Sequence, residues 1–395
     1  MSASPISEAV VLAAGEGSRL RPLTRYRPKP MLPIANRPVI KYVLYALAEA
    51  GVKRAVIVVG HRRTHVQDRL GHEYRGMELS YVRQGSRLGS GHALQQAAAL
   101  VDDEFLAVNG DNVIDARMIQ ETVDTFREGT AVATVALARS ETPRDYGVVR
   151  TEKGTVTSIE EGVAADDPSW VNGGVYAFTG SIFDALADTD PRADELHLTD
   201  GIQNLSGTVT ASRPGGIWFD PSYPWDVLGA MSHLLSVHPD FVMADRPVDA
   251  SAAVHESAVV EPPSLVGPGC EIGAGAVVRA GSCLRENVRI GPNATVEGSI
   301  VDADASVGAN VMLRDTILGP GVHVGGGTVS PGGSATLVVD GCQYHDRRLG
   351  GVVANHARIG GDVTLIPGAR IGPFATVEHG AVVEGDVDEQ AEVIA

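Results

Sequence analysis

Two different periods divide the chain. Through residues 8–240, short apolar runs alternate with stretches whose apolar residues recur every three or four positions. The runs are Val10–Val11–Leu12, then 54–59, 78–82, 104–108 and 131–137. Their length and β-branched content suit buried strands. The intervening patterns, such as 39–50 with Val43, Leu44, Leu47 and Ala48 on one stripe, and 92–101, suit helices. Strand–helix alternation predicts an α/β domain with a mostly parallel sheet covered on both faces, ligands lying beyond the carboxyl ends of the strands. A segment of turns and short strands is expected at 140–178, and a closing helix at 224–236 opened by Pro224.

The second half has a period of six. Val254, Val260, Val266, Ile272, Val278, Leu284, Ile290 and Val296 keep it strictly; after a five-residue step it resumes at Val301, Val307 and Leu313. It returns at Val353, Ile359, Leu365, Ile371, Val377 and Val383. Gly, Pro, Ala and Asn fill the places between. Neither a helix nor an alternating strand has this period, and glycine is not at every third residue as in collagen. Hexads of this kind predict a parallel β-helix whose short strands stack aliphatic side chains into a column. Residues 328–350 break the period and are expected to protrude as a loop. The expected domains are 1–236, a linker at 237–250, and 251–395.

Candidate chemistry starts where the first strand ends. Leu12–Ala13–Ala14–Gly15–Glu16–Gly17–Ser18–Arg19 offers small side chains and glycines that let backbone N–H groups approach an anion. Arg19 adds a planar fork for phosphate oxygens, and Lys29 a point charge for another. Leu20 stands where a dinucleotide fingerprint needs its third glycine, and no G-x-x-x-x-G-K-[ST] string occurs.

LAAGEGSRLRPLT…RPKPMLPIANRPVI resembles the signature of the sugar-1-phosphate nucleotidyltransferases, over about the first 235 residues. The remainder resembles the hexapeptide-repeat tail of their bifunctional archaeal and bacterial members. The resemblance implies a Rossmann-like nucleotidyltransferase domain followed by a left-handed β-helix, usually trimeric, and so a homo-oligomer. The implied reaction joins an NTP and a sugar-1-phosphate into an NDP-sugar, releasing pyrophosphate. Arg19, Lys29 and Asp111, in Asn109–Gly110–Asp111–Asn112, take the catalytic roles. Leu12, Ala13, Ala14, Gly15 and Gly17 would join Arg19 and Lys29 around the nucleotide, with Gln84, Gly89 and Ser90 at its base. A Gln amide suits a pyrimidine edge, so UTP or dTTP is expected. Asp111 and Asp220 are the implied Mg2+ ligands, with Asp226 the competitor for the second place.

Gly147, Glu161 and Asn172 match the sugar-binding segments, glucose-1-phosphate or N-acetylglucosamine-1-phosphate being the expected acceptor. Where many members carry a phosphate-binding lysine after this glutamate, Gly162 stands here. Either an arginine substitutes or the chain manages without one. In the β-helix, the positions of the family's acetyl-transferring His and Tyr fall on Ala309 and Met312. His345 beside Tyr344 is a weaker alternative base, and an assembly role is the favoured reading. Acetyl transfer to glucosamine-1-phosphate and non-catalytic nucleotide-sugar binding remain the alternatives.

Composition narrows the partners. Lys+Arg number 32 against 49 Asp+Glu, a net charge of −17, which argues against nucleic acid or anionic membranes. Lysine occurs only at positions 29, 41, 53 and 153, and the acidic excess is that expected of a salt-adapted protein. No apolar stretch reaches the ~18 residues of a membrane span, and no leader opens the chain, so a cytoplasmic location is expected. Cys270, Cys283 and Cys342 lack metal-ligand spacing and are expected to be buried or free thiols. His61 and His65, four apart, are expected on a solvated helix face.

Overall fold

The computed structural model describes residues 6–60, 63–162, 167–237 and 247–395. His61, the side chain of His65 and the middle of the expected linker, 238–246, lie outside the described residues. Packing divides the chain into two compact bodies. The first comprises the chain up to Glu16, Pro28–Met31 and Val39–Asp220. The second gathers Gly17–Arg27, Leu32–Pro38 and Pro221–Ala395. Two short pieces of the amino-terminal chain thus pack with the carboxyl-terminal half. No described helix is long and apolar enough to cross a membrane.

In the first body, β1 (Glu8–Ala13), α1 (Val39–Glu49), β2 (Arg54–Val59), α2 (Arg63–Leu70), β3 (Met77–Arg83), α3 (Gly89–Gln95) and β4 (Glu104–Asn109) keep the expected alternation. There follow β5 (Val113–Ile114), α4 (Ala116–Arg127), β6 (Ala133–Ser140), β7 (Val148–Glu152), β8 (Thr155–Glu160) and β9 (Ser169–Thr179). The body ends with α5 (Ser181–Ala187), α6 (Leu198–Gln203), β10 (Val209–Ser212) and β11 (Trp218–Phe219). The main sheet runs β7-β8-β10-β6-β9-β4-β1-β2-β3, extended by Glu73–Tyr74 at the edge.

The block β4-β1-β2-β3 is parallel. Successive residues of β1 face opposite layers: Ala9, Val11 and Ala13 pack with Ile40, Leu44 and Met118, while Val10 and Leu12 pack with Leu94, Leu186 and Leu198. That is the two-sided burial that an unbroken apolar run predicts.

Residues 140–178 differ from the expectation of short strands and turns. β9 is eleven residues long and lies antiparallel between β6 and β4. Gly173–Gly174 hides its length in the sequence, because the register shifts between Asn172 and Tyr176. The helix expected at 92–101 begins at Gly89, ends at Gln95, and gives way to a 3₁₀ turn at Ala98–Leu100.

The second body is a parallel β-helix of three sheets, the arrangement of the left-handed hexapeptide class. Each coil returns one strand beside its predecessor, as Ile272 beside Ile290 and Val278 beside Val296. The hexad aliphatics fill the interior, and a second buried residue stands two places before them: Cys270, Ala276, Val288, Ala294 and Ala305. Corners fall on residues with positive φ, such as Gly275, Asn287, Asn293, Asp304 and Asn310. Glycine, Asn and Asp tolerate that conformation best, which explains the residues between the aliphatics.

The interruption at 328–350 is ordered as a hairpin, β12 (Ser334–Val339) with β13 (Cys342–Arg348). Tyr344, considered above beside His345 as part of a base, is buried there. Its hydroxyl bonds that of Tyr223 at 2.5 Å, and its ring packs on Tyr223 and on Trp225 of α7 (Pro224–Val237). Asp226, the alternative metal ligand, accepts the Tyr223 N–H at 3.0 Å and sits in the first turn of α7.

The amino-terminal piece Gly17–Arg27 is held to this body by carboxylates. Arg25 Nε donates to Glu389 at 2.8 Å, and the Tyr26 hydroxyl donates to the other oxygen of the same carboxylate. Arg27 reaches Asp302 at 2.5 Å, which Arg285 also contacts at 2.8 Å. Burial opposes ionisation of Asp302, but the two guanidinium groups outweigh it and hold the carboxyl below its usual value. A depressed carboxyl stabilises the folded state at neutral pH, and this contribution is lost as pH falls below the unfolded value of 3.8. Asp302→Asn removes the anion that Arg27 and Arg285 share, leaving Arg285 its contact with Glu286 at 2.9 Å, and is expected to cost about 3 kcal/mol at pH 7. The deficit should shrink in acid, as checked by chemical denaturation at both pH values.

Candidate active site

β1 delivers the glycine loop to the carboxyl edge of the parallel block, and two neighbouring glycines make room for it. A Cβ on Gly60 would lie 2.9 Å from the Ala14 carbonyl oxygen, and one on Gly110 3.0 Å from that of Leu12. The Gly110 N–H donates to the same Leu12 carbonyl at 2.8 Å. Leu12 and Ala13 are buried at the strand end, while Gly15 beyond it is exposed.

Three charged residues meet beside that edge. Lys29, in the 3₁₀ turn Lys29–Met31, is buried, with its Nζ 2.8 Å from Asp111 Oδ2 and 2.7 Å from Asp220 Oδ1. Asp111 follows β4 and Gly110. Asp220 arrives through a two-residue ribbon in which Trp218 pairs with Ile114 and Phe219 with Val113, so the chain is antiparallel to the Asp111 segment. The β9 bulge fixes this corner: the Gly173 carbonyl accepts from Asn112 Nδ2 at 3.1 Å and from Trp218 Nε1 at 2.9 Å. Burial alone would favour a neutral Lys29, but Asp111 and Asp220 outweigh it and hold the ammonium above the usual lysine range. Lys29 is therefore charged at every working pH.

Gln84 is buried behind α3. Its Nε2 donates to the Gly89 carbonyl at 2.9 Å and lies 3.0 Å from His92 Nδ1. Gly89 has φ +90°, and a Cβ there would fall 2.4 Å from the Leu196 carbonyl oxygen. Ser90 caps a neighbour rather than its own helix, since its Oγ accepts the Leu198 N–H that opens α6 at 3.0 Å.

Gly147, Glu161 and Asn172 cluster on the far side of the sheet's bulge. A Cβ at Gly147 would meet Glu161 Cγ at 3.5 Å and Asn172 Cβ at 3.8 Å. Asn172 Oδ1 accepts the Gly174 N–H at 3.1 Å, and its Nδ2 donates to the Tyr176 hydroxyl at 2.7 Å. Burial raises the Tyr176 phenol above its usual value, helped by the charges of Glu161 and Asp111, so it stays protonated. Glu161 accepts from Thr199 at 2.9 Å and lies 3.4 Å from Arg192, which also approaches Asp200 at 3.6 Å.

A family profile described as "Nucleotidyl transferase" matches residues 8–241, more than half of the chain. The chain belongs to the nucleotidyl transferase family. A second profile, "GMPPB C-terminal domain", matches residues 242–332. Agl11 of Haloferax volcanii, a low-salt glycan biosynthesis nucleotidyltransferase, is 37% identical over 336 residues, covering 80% of this chain and 94% of Agl11. The bifunctional protein GlmU of Methanococcus maripaludis C5 is 29% identical over 97% of this chain and 96% of its own. Among solved structures, a UDP-glucose pyrophosphorylase complexed with UDP-glucose superposes with TM-score 0.52 at 25% identity, covering 57% of this chain and 97% of that one. The family assignment makes the chain a sugar-1-phosphate nucleotidyltransferase.

Two residues of the expected nucleotidyl transferase signature, Gly17 and Arg19, pack in the second body. Gly17 has φ +66°, and its carbonyl accepts from Thr24 Oγ1 at 2.7 Å. Arg19 lies 3.8 Å from Asp340 and over the ring of Tyr223. Sequence reasoning missed Thr199, Arg192 and Tyr176, the partners of Glu161 and Asn172. Their only local signal is Asp200 in the first turn of α6, too common a pattern to select.

Among the described residues, no group of three or more His, Cys, Asp or Glu could hold a metal ion. The two carboxylates on Lys29 nevertheless fit Mg2+, which takes one or two carboxylates plus water and phosphate oxygens. Lys29→Met would leave those carboxylates facing each other. It is expected to lower unfolding free energy by about 3 kcal/mol at pH 7. Denaturant titration of the variant beside the wild type reads the loss.

Proposed function

We propose that the chain transfers a uridylyl or thymidylyl group from UTP or dTTP to glucose-1-phosphate or N-acetylglucosamine-1-phosphate with Mg2+. The observation that carries this reading is Lys29 held charged between Asp111 and Asp220 at the carboxyl edge of β1 and β4. The choice of nucleotide and sugar draws on two further relatives. The UTP–glucose-1-phosphate uridylyltransferase AglF of Haloferax volcanii is 34% identical over 227 residues, covering 55% of this chain. A Bacillus anthracis structure assigned as a glucose-1-phosphate thymidylyltransferase superposes with TM-score 0.54 at 26% identity.

In this reading an anionic oxygen of the sugar phosphate attacks the α-phosphorus in line. The bond to the pyrophosphate oxygen breaks, and no proton has to move. Catalysis is then positioning and charge neutralisation, which suits residues that form no nucleophile–base pair. In the first body the N–H groups of Ala13–Gly15 and the Lys29 ammonium bind phosphate oxygens, and in the second Arg19 is the signature's other phosphate-binding cation. Gln84 Oε1 accepts the pyrimidine N3–H, and Gly89 and Ser90 carry the backbone along the ring. Gly147 donates its N–H to the sugar, and Glu161 accepts its hydroxyls with Asn172 beside it. Arg192, at Glu161, is the arginine that replaces the lysine absent at Gly162. Asp111 and Asp220 would hold Mg2+, which supplies charge neutralisation on the phosphates.

Pyrophosphate release over a matrix of NTPs and sugar-1-phosphates tests the reading. UTP or dTTP with glucose-1-phosphate or N-acetylglucosamine-1-phosphate should be active, chelation with EDTA should abolish turnover, and Mg2+ should restore it. Lys29→Ala should reduce kcat by about 100-fold or more. No pyrophosphate from any pair would favour a nucleotide-sugar-binding regulator.

The β-helix is proposed as an assembly domain making a homo-oligomer, a trimer by resemblance. One of its sheets presents Val259, Val277, Met312, Val329 and Val382 at outward positions, with Val259 and Val382 exposed. Val277→Glu with Val382→Glu should dissociate the oligomer in sedimentation velocity while leaving the coil's interior intact.

A further inference from the structure

We infer that Asp340, at the tip of the β-helix hairpin, is a positioning residue that holds Arg19 and competes with the triphosphate for it. The inference rests on the proposed nucleotide role of Arg19. Every contact behind it lies within the second body.

The hairpin turn is Asp340–Gly341, with φ +48° and +77°, the two positive values a type I′ turn needs. β12 and β13 carry this tip with Leu337 opposite Tyr344 and Val339 opposite Cys342. The hairpin is anchored at its side by the buried cluster of Val339, Tyr344, Tyr223 and Trp225. Asp340 Oδ2 then receives two consecutive residues of the signature. Ser18 Oγ donates to it at 3.5 Å, and Arg19 Nε lies 3.8 Å away. The Arg19 guanidinium also rests over Tyr223, 5.6 Å from the ring centroid, the same ring whose hydroxyl bonds Tyr344. One arginine is thus oriented by two elements that a single buried cluster ties together.

The bland role for Asp340 is turn chemistry, since Asp-Gly is a favoured type I′ pair. That role does not need the charge, because Asn-Gly serves the same turn. A carboxylate placed on a phosphate-binding arginine opposes the arrival of a polyanion. Both side chains are about half exposed, 47% for Arg19 and 56% for Asp340, so the pair is weak enough for a triphosphate to displace. In the free protein Asp340 keeps the guanidinium on the Tyr223 ring; in the complex a phosphate takes the carboxylate's place.

Asp340→Asn keeps the turn and removes the charge. Titration calorimetry of the full-length chain with UTP and with dTTP, in low salt, is expected to give a Kd about two- to fivefold lower than wild type. KM for the triphosphate should fall by the same factor with kcat unchanged, and the difference should fade in molar salt. In an Arg19→Ala background the same substitution should have no effect. An unchanged or higher Kd in Asp340→Asn, or an equal effect with Arg19 absent, overturns the inference. Triphosphate binding without pyrophosphate release from the wild type counts against the proposed reaction alone, and the Kd comparison still decides the role of Asp340.

Discussion

A buried ammonium between two carboxylates is the constraint on which the catalytic body depends. Lys29, Asp111 and Asp220 come from three separate stretches of chain, and each is costly to hold alone away from water. At contact distance the attraction of one such pair is about 4 kcal/mol at an intermediate dielectric, so two pairs offset the burial of one lysine. The backbone around them is built to permit the meeting. Gly60 and Gly110 admit the end of β1, and the Gly173 carbonyl ties Asn112 to Trp218 on either side of the triad.

The second body makes a comparable use of buried charge. Asp302 stands inside the β-helix surface with Arg27 and Arg285 upon it, so a signature residue and a coil residue share one anion. Arg25 and Tyr26 share Glu389 in the same way. Breaking such an arrangement from one side strands a charge, which makes the docking of Gly17–Arg27 specific even where each exposed pair is weak. The β-helix therefore does more than stack coils: it shapes the segment that carries Gly17 and Arg19.

What was legible in the sequence is what local pattern encodes. The strand β1, the glycine loop and the hexad column all follow from spacing within a few residues, whereas Asp111 enters only through the family resemblance. Asp220 likewise enters through the resemblance, and no local pattern carries the pairing of Trp218–Phe219 with Val113–Ile114. β9 was obscured because two glycines read as a turn when they form a bulge inside a long strand. The bond from the Leu198 N–H to Ser90 Oγ joins residues 108 positions apart. The attachment of Arg27 to Asp302 spans 275 residues, and no local period carries such information. The same holds for the contact of Arg19 with Asp340 in the hairpin.

A net charge of −17 poses a problem for a protein proposed to gather two phosphorylated substrates, and the arrangement of cations suggests how it is met. Each cation assigned to phosphate already touches carboxylate: Lys29 touches Asp111 and Asp220, Arg192 touches Glu161 and Asp200, and Arg19 touches Asp340. Substrate binding in this reading exchanges one anion for another at a preformed cation. Such an exchange gains less from bare attraction than binding to an open arginine would. It gains orientation, because side chains with much rotamer freedom are already restrained before the phosphate arrives. The carboxylates released at Lys29 are then the groups suited to a divalent ion, so the same two aspartates would serve the free and the loaded states in turn.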